Sequence, residues 1–146
     1  MTKLIQAILT GIFFTFILDF FVFLGIKHNY IDFYEIDLYY NILFADHQNI
    51  YFFAITSLVI GFIFTYINNT RLSFIVIGLL SVVSLSTLIP TVGYSLGEKL
   101  LMKKNITYND AKYTYVGDVY YDGRTQITFY DYSLEKTILL KKDLIK

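Results

Sequence analysis

Residues 72–96 read LSFIVIGLLSVVSLSTLIPTVGYSL and hold no charged side chain. At about 1.5 Å of rise per residue, a helix of this length covers about 37 Å, more than the ~30 Å hydrocarbon core of a bilayer. Most of the chain before it is equally compatible with lipid, and the chain beyond it is polar and strand-like. The mean hydropathy of +0.53 agrees with that division. The expected class is a membrane α-helical protein: three transmembrane helices followed by a small antiparallel β-meander of three strands. The expected units are residues 1–98, a transmembrane three-helix unit, and residues 99–146, a β-rich tail outside the membrane.

The first expected span is residues 4–26. It comes after Lys3, as a signal peptide would, but its apolar run is too long and no small-residue cleavage site succeeds it. It reads as a retained anchor. Ala7, Gly11, Thr15 and Asp19 fall four apart and so share one helix face. Membrane helices associate through such small-residue seams, where backbones approach closely. The second expected span, 50–67, carries Ala54, Ser57, Gly61 and Thr65 on one face, with Tyr51 and Tyr66 at aromatic-belt positions. Asn68, Asn69, Thr70 and Arg71 then form a short turn, which makes spans two and three antiparallel neighbours. The third span, 72–96, has its own seam of Gly78, Ser81, Ser84, Thr87, Thr91 and Ser95. Pro90 is expected to kink it, and Gly93 and Gly97 form a GxxxG pair at its exit. The pair fits packing within the chain or between copies.

Asp19 is the one acid inside an expected span. A carboxylate near a helix centre costs about 2.5–3.5 kcal/mol on insertion scales, so it must face protein or water. The structural reading is a protonated acid donating to a Ser or Thr on a neighbouring helix. The functional reading is a proton or cation site. Residues 27–49 read as an interfacial loop with a short helix, its tyrosines suited to the headgroup region. His28, Asp46 and His47 lack metal-ligand spacing and read as solvated residues, so no metal or cofactor is expected.

In the tail, residues 111–121 and 124–132 flank Asp122-Gly123. That dipeptide predicts a hairpin with a type I′ turn. Gly117 predicts a bulge. Ile127 and Phe129 should face one way and Gln126, Thr128 and Tyr130 the other. Residues 136–141 make the last strand, with Leu144 and Ile145 available to close the sheet. Arg124 reads as a solvated hairpin flank. So few apolar residues make a poor independent core, and the meander is expected to lean on the helices, on copies of itself or on a partner.

The chain has no cysteine, which excludes disulfides and thiolate chemistry, and its formal net charge of +0 provides no field for nucleic acid. The Asn68-Asn69-Thr70 and Asn105-Ile106-Thr107 sequons are common by chance. The bias towards Ile, Lys, Asn, Tyr and Phe fits an AT-rich bacterial genome, hence a multi-pass protein of the bacterial inner membrane. Lys3 favours a cytoplasmic amino terminus, whereas Lys99, Lys103, Lys104 and Lys112 favour a cytoplasmic tail. The first helix sets the preference here: amino terminus inside, tail outside. The expected function is assembly or partner binding, with lipid and a second copy or another membrane protein as partners and no catalysis of its own. The alternative is a subunit of an oligomeric channel or transporter using Asp19. An enzyme would need a nucleophile with a base, or a metal with ligands, and neither is grouped in the sequence.

Overall fold

A computed structural model describes residues 2–67, 69–110 and 112–145. Asn68 of the expected turn and Ala111, expected to open a strand, lie outside the described residues. Five helices precede a four-stranded antiparallel sheet. Helix α1 (Lys3–Ile26) runs on through a π-helical turn (Lys27–Ile31). Together they form a continuous apolar helix of 29 residues. Among the described residues, this is the one helix that is long and apolar enough by itself to cross a membrane.

Helices α2 (Tyr40–His47) and α3 (Ile50–Tyr66) meet at 87°, and α4 (Thr70–Ser86) and α5 (Pro90–Leu101) at 84°. The number of spans rises to three only if each bent pair counts as one. The side chain of Asn49 caps α3 through the Tyr51 and Phe52 N–H groups, and Asn69 caps α4 through that of Leu72. Residues 72–96 therefore do not make one kinked helix. Pro90 has no N–H to donate and fixes its own φ, so it is suited to a helix's first position. The residue before a proline is pushed to extended backbone, and Ile89 has φ −71° and ψ 128°. Pro90 starts a helix here, and the chain changes direction just before it.

The sheet has four strands, β1 (Lys103–Asn109), β2 (Thr114–Asp122), β3 (Gln126–Asp131) and β4 (Lys136–Lys141), in the order β1-β2-β3-β4, rather than the three expected. The additional strand, β1, reads KKNITYN, too polar to show an apolar alternation. The β2–β3 turn is not type I′. Gly123 donates its N–H to the Gln126 carbonyl at 3.0 Å, and the positive-φ residues among those described are Glu35, Asn105 and Glu135. Nor is Gly117 the bulge. It pairs regularly with Asp131, and its missing Cβ makes room for the Tyr130 carbonyl. The register slips instead between Val119 and Tyr121, so that Tyr120 is the extra residue.

One face of the sheet has its own core of Val119, Ile127, Phe129 and Leu140, with Tyr108, Tyr115 and Ile145 packed around it. Burying each large side chain stabilises by about 1.5–3 kcal/mol. Leu144 points to solvent. The opposite face meets the helices through a second core of Phe23, Ile26, Tyr30, Ile31, Ile36, Leu43, Leu101 and Tyr121.

Candidate functional site

The helices fix a level from which the rest of the structure is built. Helix α3 runs antiparallel to α1, with Gly11 against the Ser57 backbone and Gly61 against the Ala7 backbone. At the top of this pair the Gln48 amide donates to Asp19 at 3.1 Å. Helix α4 reaches the same height: Ser84 donates to the Leu18 carbonyl, and Thr87 Oγ1 donates to the Phe21 carbonyl at 3.0 Å. Both sharp bends, α2–α3 and α4–α5, thus fall beside residues 18–21 of α1. Below this level the exposed side chains include Leu9, Phe13, Phe16, Leu58, Phe62, Phe74, Leu79 and Val83. Above it α1 is covered by protein, and Ile26, Tyr30 and Ile31 are at most 1 % exposed.

The sheet docks on this upper end of α1. A bulge places two consecutive side chains of one strand against a single partner residue. At Tyr120 it brings both Tyr120 and Tyr121 into the helix-facing core. The Tyr120 ring stacks on Tyr34 at 3.9 Å between centroids, and the Tyr34 and Tyr94 hydroxyls share a hydrogen bond of 2.6 Å. Tyr30 is fully buried and donates to the Tyr120 carbonyl at 2.8 Å. Burial pushes the Tyr34 hydroxyl well above its ordinary pKa, and its bond to Tyr94 adds to the rise. Arg124 clasps Asp46 of α2 through Nε at 3.0 Å to each carboxylate oxygen and through Nη2 at 2.5 Å. This fork geometry fixes orientation, although so exposed a pair adds little stability.

Because β2 carries the docking, the β3–β4 half of the sheet overhangs. A cleft of about 800 Å³ lies beneath it. One wall is the loop with Phe33, Glu35, Ile36, Asp37 and Leu38. The other is the sheet surface of Gln126, Thr128, Thr137 and Leu139, and Arg124 and Thr125 close one end. No protein-family model, curated protein or solved structure matches this chain. The cleft's capability therefore rests on its own chemistry. It offers uncharged hydrogen-bonding groups, exposed Leu139 and Phe33, and two carboxylates.

Of the residues singled out in the sequence, Asp19 accepts a hydrogen bond from the Gln48 amide, rather than donating one to a Ser or Thr on a neighbouring helix. Gly11 and Gly61 sit where α1 and α3 cross. Gly93 meets the Thr87 backbone and the Asn29 side chain, and Gly97 meets the Tyr30 ring, so this GxxxG pair packs within the chain. Pro90 opens α5. His28, Asp46 and His47 part company: His28 lies 3.9 Å from Asp32, Asp46 pairs with Arg124, and His47 packs edge-on against Tyr121. Arg124 is part of the sheet's docking, not a free hairpin flank. Sequence reasoning assigned Tyr34 to the headgroup region, whereas it stacks on Tyr120, and it missed Tyr94, Tyr120 and the cleft. The only signal was a density of tyrosine, which composition reports without partners.

Proposed function

We propose that this chain is a small multi-pass integral membrane protein of the bacterial inner membrane. Its helices hold a sheet-bearing head at the membrane surface, and it acts by binding a partner, without catalysis of its own. The observation that carries this reading is the shared level of the two bends. Below that level three helices run side by side with apolar surfaces outward, and at it the other two helices turn nearly at right angles. Helices α3 and α4 have 17 residues each. Each is therefore about 25 Å long, enough to cross the hydrocarbon core once the polar ends are counted.

Lys3 and Arg71 stand at the far end of the bundle, and all 12 acids lie at or after Asp19. Cations flanking spans favour the cytoplasmic side, so the head is placed outside the cytoplasm. In the head several cations are neutralised by partners, among them Lys103 by Asp122 and Lys104 by Glu98, which weakens their pull on orientation. Docking through Tyr30, Tyr34, Tyr120 and Arg124 holds the cleft against the anchor.

The channel alternative has weaker support. Asp19 is bound by a non-titrating amide and stands at the level of the bends, away from the middle of the bundle. Crosslinking through head lysines in native membranes, read by mass spectrometry, tests the proposal. It expects links from Lys136 or Lys141 to another polypeptide. Only intramolecular links, together with a strict monomer in mild detergent, would overturn it.

A further inference from the structure

The cleft's open side is the edge of β4. The Lys142 N–H donates to the Thr125 carbonyl at 3.0 Å, and Gln126 pairs with Lys141. In an antiparallel ladder this alternation turns the backbone N–H and C=O of Thr137, Leu139 and Lys141 away from β3. The same residues carry their side chains on the helix-facing surface, opposite Tyr130, Thr128 and Gln126. An unpaired row of backbone groups therefore borders a cavity whose floor is Leu139, 65 % exposed, and Thr137.

The facing wall presents Glu35 and Asp37. No cation pairs with either among the described residues, whereas Lys27, Lys103, Lys104, Arg124 and Lys142 are all engaged elsewhere. The side chains of Thr125, Gln126, Thr128 and Thr137 also make no hydrogen bond to other described residues. Tyr121, which lines the cleft and is 4 % exposed, has a hydroxyl without a partner among them. The site thus combines free backbone donors and acceptors along an edge, unsatisfied side-chain polar groups and unpaired negative charge.

We propose that this cleft binds an extended peptide segment of a partner protein, added as a fifth strand along β4, with a basic side chain directed at Glu35 and Asp37. This rests on the membrane-anchored binding reading and names its partner class. Main-chain bonds supply affinity in strand addition, and pockets for alternate side chains supply specificity. Lys136 and Lys141 at the ends of β4 discourage long edge-to-edge association, which confines pairing to a short segment between them.

The test uses the full chain in lipid nanodiscs and fluorescence anisotropy with three labelled heptapeptides of alternating Thr and Val. One has a central Lys, one a central Glu, and one is the Lys peptide N-methylated along one edge. The Lys peptide should bind at least about tenfold tighter than the Glu peptide, and N-methylation should abolish binding. Leu139→Pro removes an outward N–H without breaking a β3–β4 bond, and should weaken the Lys peptide about tenfold or more. Glu35→Gln with Asp37→Asn should bring the Lys and Glu peptides to similar affinity. Equal binding of the Lys and Glu peptides, indifference to N-methylation, or no saturable binding at millimolar peptide would overturn the proposal. The peptide arms need no variant, so a misfolded Leu139→Pro does not blunt the test. A crosslinked partner that attaches through α4 or β1 removes the cleft proposal and leaves the binding reading standing. Only intramolecular links, with a strict monomer in mild detergent, remove the binding reading itself.

Discussion

The same substitution should have opposite signs at two glycines of the helix bundle. At Gly11 an added Cβ would stand 1.8 Å from the Ser57 carbonyl oxygen and 2.7 Å from its carbon. Both atoms are backbone, so no side chain can swing aside. An ordinary carbon–oxygen contact needs about 3.4 Å, and the helices must part by about 1.5 Å. A gap of about 0.5–1 Å already forfeits a quarter to a half of each dispersion contact, and overpacking of this kind typically costs about 1–3 kcal/mol. Alanine returns about 0.8–1 kcal/mol of helix propensity over glycine. Because both clashing atoms are backbone, the overpacking cost falls in the upper part of its range, about 2–3 kcal/mol, and Gly11→Ala should destabilise by about 1–2 kcal/mol net. At Gly78 nothing lies within 4 Å of the added Cβ. Only the propensity term remains, and Gly78→Ala should stabilise by about 0.5–1 kcal/mol. Titration of SDS into protein held in mild detergent, followed by far-UV circular dichroism, measures both. If the two variants move the midpoint in the same direction, or Gly11→Ala stays within about 0.5 kcal/mol of the parent, then α1 and α3 do not cross at this glycine.

Three further outcomes rest on single contacts. Thr15 is 1 % exposed and its hydroxyl has no partner among the described residues, so the isosteric Thr15→Val should raise bundle stability by about 1 kcal/mol in the same SDS titration. Tyr30→Phe removes the bond to the Tyr120 carbonyl and should loosen the sheet by about 1–2 kcal/mol, read as faster proteolysis after α5 with the helices intact. Burial pushes the Asp122 carboxyl up, but the ion pair with Lys142 and the hydrogen bond from Lys103 outweigh it and hold its pKa below the ordinary carboxylate value. A depressed carboxylate pKa contributes stability that is complete above the unfolded value and is lost as pH falls through the folded one. The near-UV tyrosine signal should therefore fall away below about pH 4 in the parent, and Asp122→Asn should flatten that limb while lowering stability at neutral pH.

Local rules carried the sequence reading as far as neighbours along the chain carry physics. Small residues four apart on 4–26 and on 50–67 define faces, and those faces hold the α1–α3 crossing at Gly11 and Gly61. Alternation around Ile127 and Phe129 sorts β3 correctly between its own core and the helices. Hydropathy was less informative about where a helix ends. Residues 72–96 are charge-free on both sides of Pro90, and an apolar run looks the same whether it continues through the bilayer or turns along its surface. What decides is the extended backbone that Pro90 imposes on Ile89, and the Thr87 hydroxyl that finds the Phe21 carbonyl.

The head was the least legible part, and for one reason. The contacts that build it join residues far apart in the chain: Tyr30 with Tyr120, Tyr34 with Tyr94, and Asp46 with Arg124. Each is an ordinary exposed-looking polar aromatic or charge when read locally. The bulge that turns both Tyr120 and Tyr121 to the helices leaves no mark either, since both are good strand residues and the extra residue exists only relative to β3. Moving the slip to Gly117, where sequence reasoning put it, would restore strict alternation through Val119, Tyr120 and Tyr121. Only one of the two tyrosines could then face the helices. Either the stack on Tyr34 or the burial of Tyr121 against Leu43 and Leu101 would be lost, and with it the overhang that opens the cleft.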